Sequence, residues 1–476
     1  MVLSNTLSCA TVLVGAIACG AHVVSIPPPL AGVEPARYTQ FVAQSCTQSG
    51  AAGLVVDASY LSRLPPLPEV TYYSFDEVLR ARMKGRRHAG DFELTQFTAG
   101  STGDPRGVSL SQGRLLAGVD AITAMLSPEP GDGVCSWFPI SHAMGLVGMF
   151  LSGLVACGPQ WADGGDIALL TPEMFRRRPA TWLEACAEYR STITGSAPSF
   201  GFEVAMRRRP AHSLDLSRIR VCLTGSEPLR ARTLMDFTSA FRGSGLAAGA
   251  LCPAYGVAEC SLVTSMAPGR GWTVQTVEPG ALADRRVVAD AVGTPVVSCG
   301  EPLPGCRVRI AGGGPVGEIQ ASGPSVAERY VDGSAVTGAD GWFATGDLGF
   351  VVDGALYVLG RLHDVLDVDG QRLYAVDLDN RVGNLPGIRM GRVAVTDTDE
   401  GELFVAAEVS ANDPEAGDLD RLAEAVRSLV ASRTGMQPWV GLVERGRLPL
   451  DLGGRVQRQR VRAAITEGAL SPRPPS

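Results

Sequence analysis

Short apolar runs alternate with longer amphipathic stretches over the first two-thirds of the chain. HVVSI (22–26), GLVVD (53–57), GVCSWF (133–138), STITGSA (191–197) and IRVCLTG (219–225) are apolar runs of strand length. Helix-length segments accompany them at 40–47, 109–126, 143–156, 179–189 and 229–241. Strands that are apolar at consecutive positions are buried on both faces. The alternation therefore predicts a mostly parallel sheet with helices on each side.

From about residue 295 to 360 the pattern changes to short strands with Gly and Asp turns, as in RVRIAGGGPVGEIQASG and DGALYVLGR, which predicts a small antiparallel layer. After Arg361 there remain strands near 391–396 and 403–409, an amphipathic helix near 417–433 and a basic tail, together the size of one small domain. The predicted fold is α/β: a large multi-layer N-terminal domain with mostly parallel sheets and a small antiparallel layer, plus a small α+β C-terminal domain. The boundaries fall at 1–360, a hinge at 361–364, a mobile unit at 365–468 and a disordered tail at 469–476.

Composition narrows the class. A chain of 476 residues exceeds the size at which one core stops growing, and 45% hydrophobic with 19% charged residues suits a soluble enzyme. A net charge of -7 argues against nucleic acid as a partner, since such binding needs a basic surface. Lys84 is the single lysine among 42 basic residues. None of the eleven cysteines forms a C-x-x-C, which predicts reduced, mostly buried thiols in a cytoplasmic protein and no zinc site. The apolar stretch 7–21 has no basic residue before it and soon meets His22 and Pro27–Pro29. It predicts a buried helix and then a strand, not a signal peptide or a membrane span of about 20 residues.

FTAGSTGDPRGV, from Phe97 to Val108, carries the chemistry. Gly100, Gly103 and Gly107 let backbone approach a polyphosphate closely; Thr98, Ser101 and Thr102 supply donors, and Arg106 supplies a cation. It is not a Walker loop, because no G-x-x-x-x-G-K-[ST] is present. The helix-like segment from Ser111 is expected to add its dipole.

With this loop, further motifs follow in order: WFPISHAMGLVG (137–148), GSAPSFGFEVAMRR (195–208), TGSEPLRARTL (224–234), YGVAECSLVTS (255–265), VSCGEPLPGCRVRI (297–310), GEIQASGPSVAERY (317–330), TGDLGF (345–350) and GRLHDVLDVDGQRLYAVDLD (360–379). The series resembles the acyl-adenylate-forming superfamily, and within it the fatty acyl-AMP ligases. VEPGALADRRVVADAVGTP, before Cys299, resembles an insertion of that branch.

The resemblance implies an AMP-binding adenylation domain over 1–360 that uses ATP and Mg2+ to activate a small acid, with transfer to an acyl carrier protein as the expected second step. It implies that Glu259 is the magnesium ligand, and that Tyr255 and Gly256 face adenine with Ser226, Glu227 and Pro228 opposite. Asp347 and Arg361 are implied to contact the ribose, and Asp364 to be the hinge. His142 is implied to stand at the mouth of the acyl pocket, lined by Met144, Gly145, Ser199 and Phe200.

Two features depart from the pattern. The family's tail lysine, which steadies charge as the carboxylate attacks the α-phosphate, is Arg455 in RLPLDLGGRVQRQR. By the same resemblance the chain is shortened by about 60 residues at the start of its large domain, which would expose core surface of a layered fold. Two rival readings keep the fold: ATP-dependent activation of nitrite for diazotisation of an aryl amine, and a non-catalytic nucleotide-binding relative.

Overall fold

The computed structural model describes the chain apart from residues 30–34, 62–63, 65–66, 68–69, 82–89, 99–105, 159–164, 198–200, 211–212, 228, 292, 369–370, 399–400, 411–417, 451–455 and 471–476. Its largest sheet has seven strands, in the order Glu301–Pro302, Ser261–Ser265, Leu251–Val257, Val221–Thr224, Ile193–Gly195, Val134–Ser136 and Ile167–Leu169. The five strands from Leu251–Val257 to Ile167–Leu169 run parallel; the other two are antiparallel additions at one edge.

The mixed α/β class is as predicted, but two early runs leave the expected sheet. His22–Ser25 joins Glu93–Phe97, Gly107–Ser111 and Arg329–Tyr330 in a four-stranded sheet, and Gly53–Val56 pairs only with Thr71–Ser74. An apolar run fixes burial, not the partner strand, which long-range packing selects. The antiparallel layer comprises Arg307–Ile310, Val316–Ser322, Phe343–Val352 and Ala355–Arg361.

The covering helices follow from their spacing. Ala231–Phe241 buries Thr233, Leu234, Phe237, Thr238 and Phe241, positions three or four apart, while Arg232 and Asp236 pair outside at 2.7 Å. Phe237 stacks on Phe202 with centroids 4.1 Å apart, and Trp182 lies 6.0 Å from Phe237. The Trp182 Nε1–H is satisfied by Thr194 Oγ1 at 2.9 Å, so the indole is buried at no polar cost. At the start, Leu7–Ala18 is capped by Thr6, whose side chain accepts from the Cys9 N–H. It buries Cys9, Ala10, Val12 and Leu13, while Leu7 and Val14 are exposed. No helix among the described residues is long and apolar enough to cross a membrane.

The predicted helix at 143–156 is a π-helix over Met144–Leu151 that becomes α-helical over Ser152–Ala156. All eight π-helical residues are buried, and Ser152 Oγ donates to Val147 O at 2.7 Å. Such wide turns are rare and gather at functional sites. Past Arg361, Leu366, Val368, Leu378, Val382, Val395, Val405, Val426 and Val440 belong to one hydrophobic cluster drawn wholly from residues 366–440.

Phe237→Ala removes the centre of the aromatic stack and is expected to cost about 3–5 kcal/mol. A fall in thermal unfolding temperature, against little change for the exposed Arg232→Ala, checks it.

Candidate active site

The parallel strands deliver the motifs by their C-terminal ends. His142 follows Val134–Ser136, Ser196 and Ala197 follow Ile193–Gly195, Ser226 and Glu227 follow Val221–Thr224, and Tyr255 to Glu259 end and follow Leu251–Val257. In open α/β sheets ligands bind at that edge, where loops diverge.

Close backbone approach explains several small residues there. A Cβ at Gly145 would lie 2.1 Å from Pro139 O, at Gly225 2.4 Å from Ala254 O, and at Gly256 2.2 Å from Ser261 O. Gly256 sits at a bulge where the pairing shifts after Tyr255, turning the chain toward Glu259. Ser226 adopts a left-handed φ of 67° and is exposed. Glu227 is half-buried beside it.

Asp347 arrives from the antiparallel layer. It is a register partner of Arg361 across the strand pair, and Arg361 Nε stands 3.3 Å from its Oδ1. From the parallel sheet, the Tyr255 hydroxyl donates to its Oδ2 at 2.7 Å. Burial pushes the Asp347 carboxyl up, opposed by the Arg361 charge and the Tyr255 hydrogen bond. Burial also raises Tyr255 well above the ordinary phenol value, so it stays a protonated donor. His363, next along, is lowered by burial.

Glu259 accepts from the Tyr330 hydroxyl at 3.2 Å. Burial raises its pKa; a backbone hydrogen bond, Tyr330 and Arg361 oppose this, and the Asp347 charge adds to it. Arg106 lies over the Tyr330 ring at 3.5 Å and donates to Ser334 Oγ at 2.7 Å. Tyr330 thus links the foot of the glycine loop to Glu259. Sequence reasoning missed it, although it closes GEIQASGPSVAERY.

The loop springs from a hairpin: Phe97 pairs with Gly107, and the Thr98 N–H donates to Arg106 O at 2.9 Å. A Cβ at Gly107 would meet Val331 Cγ2 at 2.7 Å, so that glycine serves packing of the strand beside it. The expected helix dipole is corrected here. Gly107–Ser111 is a strand, and helix Gln112–Leu126 starts at its far end, opposite Glu93. Five strand residues span about 16 Å, beyond the reach of a terminal partial charge.

His142 is exposed, and the Met144 N–H donates to its Nδ1 at 3.3 Å, so the neutral ring carries its proton on Nε2. Met144 is buried and reaches toward Gly225. Gln96, beside the loop foot and also missed, buries an amide with no hydrogen-bond partner among the described residues. Gly100, Ser101, Thr102, Gly103, Pro228, Ser199, Phe200 and Arg455 lie outside the described residues. No group of three or more His, Cys, Asp or Glu suited to a metal occurs among the described residues.

Comparison with known proteins gives a consistent picture. Residues 2–331 match the model of the family described as AMP-binding enzyme. A putative acyl-CoA synthetase of Caulobacter vibrioides is 32% identical over 78% of this chain and 68% of its own. A medium-chain-fatty-acid–[acyl-carrier-protein] ligase of Moorena producens is 31% identical over 79% of this chain and 68% of its own. A solved structure from work on the fatty acyl-adenylate ligases of E. coli and L. pneumophila superposes with a TM-score of 0.89 at 25% identity, covering 98% of this chain and 88% of that one.

The raised Glu259 carboxyl yields a test with a definite sign. Below the ordinary carboxylate range Glu259 is neutral folded and unfolded and costs nothing. As pH rises through that range toward its raised folded value, the unfolded chain ionises first and the folded state loses stability. Glu259→Gln keeps an acceptor for Tyr330 and removes this loss. Thermal scans without nucleotide are expected to show the variant more stable than wild type at pH 7, with the gain vanishing in acid.

Proposed function

The chain belongs to the AMP-binding enzyme family, and from that membership we propose that it activates a fatty or similar carboxylic acid as acyl-AMP and passes the acyl group to a carrier-protein thiol. It is an adenylate-forming ligase, and ATP is its nucleotide. The observation that carries the reading is the junction of buried Tyr255 and Asp347 with the partly exposed Arg361 at the C-terminal edge of the parallel sheet, with Glu259 alongside.

In this reading Asp347 and Arg361 take the ribose hydroxyls, a task suited to carboxylate lone pairs. Tyr255 and Gly256 face adenine, with Ser226, Glu227 and Pro228 as the opposite wall. Thr98 to Gly107 hold the β- and γ-phosphates, with Arg106 adding positive charge. Glu259 fits a magnesium ligand, since that hard cation takes one or two carboxylates and completes its shell with phosphate oxygens and water. When bound, the ion would offset the polyphosphate charge.

A carboxylate oxygen of the acid attacks the α-phosphorus, forming the acyl–phosphate bond as the bond to pyrophosphate breaks. Arg455 offsets the charge that develops there. Its planar fork directs two donors where the family's lysine offers a point charge. His142 orients the acid through its Nε2–H at the pocket mouth, with Met144, Gly145, Ser199 and Phe200 behind.

We divide the chain as 1–360, a hinge at 361–364 centred on Asp364, and 365–468, which is supported by the separate hydrophobic cluster of residues 366–440. Eleven free cysteines accord with action in the reducing cytoplasm. The two curated relatives differ by name in acceptor, coenzyme A against a carrier protein. The proposal follows the name of the second, which gives an acyl carrier protein. No observation favours nitrite.

Pyrophosphate release is the test, across fatty acids of graded length, aromatic acids and nitrite. Release with fatty acids is expected, reduced on the order of 10²-fold or more in Glu259→Ala. Release with nitrite alone would replace the reading, and no release with any substrate would overturn it.

A further inference from the structure

The C-terminal tail is gripped from both sides. Leu450 and Val456 face each other in an antiparallel bridge, and the Gln457 N–H donates to Pro449 O at 2.9 Å. These contacts make a hairpin stem. Residues 451–455 lie outside the described residues. The stem's base rests on the C-terminal sheet: Glu408, fully buried, accepts from the Gly446 and Leu448 N–H groups at 2.9 and 3.2 Å and pairs with Arg389 at 2.6 Å.

Just past the stem, Arg458 is held by Asp379 at 2.7 Å and by Asp364 at 2.8 Å. This half-buried triad joins the tail to the proposed hinge residue Asp364 and to Asp379 beyond it. It orders the tail against its own unit.

The other grip comes from far away in sequence. Arg37, in the first turn of helix Pro35–Ser49, donates from Nη1 to Leu450 O at 2.7 Å and from Nη2 to Gln457 Oε1 at 3.3 Å. One planar guanidinium therefore spans both strands of the stem, which a lysine point charge does not do. Arg230 makes a comparable link elsewhere, donating to Asn380 and, at 3.5 Å, to Asn384.

We propose that Arg37 is a positioning residue that fixes the tail stem against the large N-terminal region for the adenylation step. This rests on the adenylation-then-transfer reading, in which the C-terminal unit turns about Asp364 between two orientations. The Arg37 bonds tie residues on opposite sides of that pivot, so they exist in one orientation and must break in the other. A contact made in only one of two states shifts their populations. Losing it handicaps the half-reaction that needs the tied orientation and spares the other. Arg458 cannot report this, because its removal leaves two half-buried carboxylates uncompensated and threatens folding.

The test compares Arg37→Ala with wild type and with Arg232→Ala, an exposed arginine far from the tail. The probes are the fatty acid that wild type turns over fastest, its synthetic acyl adenylate and pantetheine. Arg37→Ala is expected to slow pyrophosphate release on the order of 10- to 10²-fold. Transfer from the preformed adenylate to pantetheine should stay within about twofold. Equal losses in both steps, a loss confined to transfer, or no loss in either overturn the proposal. If wild type releases no pyrophosphate, the functional reading itself fails, and hydrogen exchange at the Gln457 amide decides the tie. Faster exchange in Arg37→Ala supports it; unchanged protection overturns it.

Discussion

A carboxylate taken out of water needs partners, and Asp347 finds them on two separate layers. Tyr255 reaches it from the parallel sheet and Arg361 from its own antiparallel hairpin. The contact registers one layer against the other, so the motif-bearing strand ends and the TGD segment of strand Phe343–Val352 share one edge. Burial still wins over its partners, because the Asp347 carboxyl remains raised. Its partners therefore do not fully offset the cost of burying its charged form. Glu259 repeats the theme, with the Tyr330 hydroxyl as its one side-chain donor among the described residues. Stability is given up where function needs charge, as is common at active sites.

Backbone crowding is the second constraint. Gly145, Gly225 and Gly256 each sit where a Cβ would meet a carbonyl oxygen; Gly225 and Gly256 lie just past and within strands of the parallel sheet, and Gly145 lies in the π-helix. The π-helix adds to this, since its wide turn packs Met144 to Leu151 entirely inside. The edge of the sheet is thus packed backbone against backbone, and the side chains lining it have few alternative positions.

Arginine does the long-range joining in a chain with one lysine. Arg106 combines stacking on Tyr330 with a hydrogen bond to Ser334; Arg37 and Arg230 reach residues after the proposed hinge; Arg458 orders the tail. A planar, always-charged fork can hold two acceptors in fixed geometry, where an ammonium attracts without orienting. An arginine at 455 fits the same habit.

Local signals were sufficient for the elements and the ordered motifs. Apolar runs marked Val134–Ser136, Ile193–Gly195 and Val221–Thr224, and three- and four-residue spacing marked Ala231–Phe241, because burial and periodicity are properties of a short segment. The TGD motif was legible as a motif, but only the structure shows that it sits within the strand Phe343–Val352. Tertiary structure alone decided what meets what. It moved His22–Ser25 and Gly53–Val56 to other sheets and placed a strand between the loop and the helix expected to serve it. It also made Tyr330 the link to Glu259, and brought Arg37 to residues more than 400 positions away. Nothing in a short window around Arg37 records that partner, because a pairing across the whole chain is selected by the packed fold and not by the neighbouring residues.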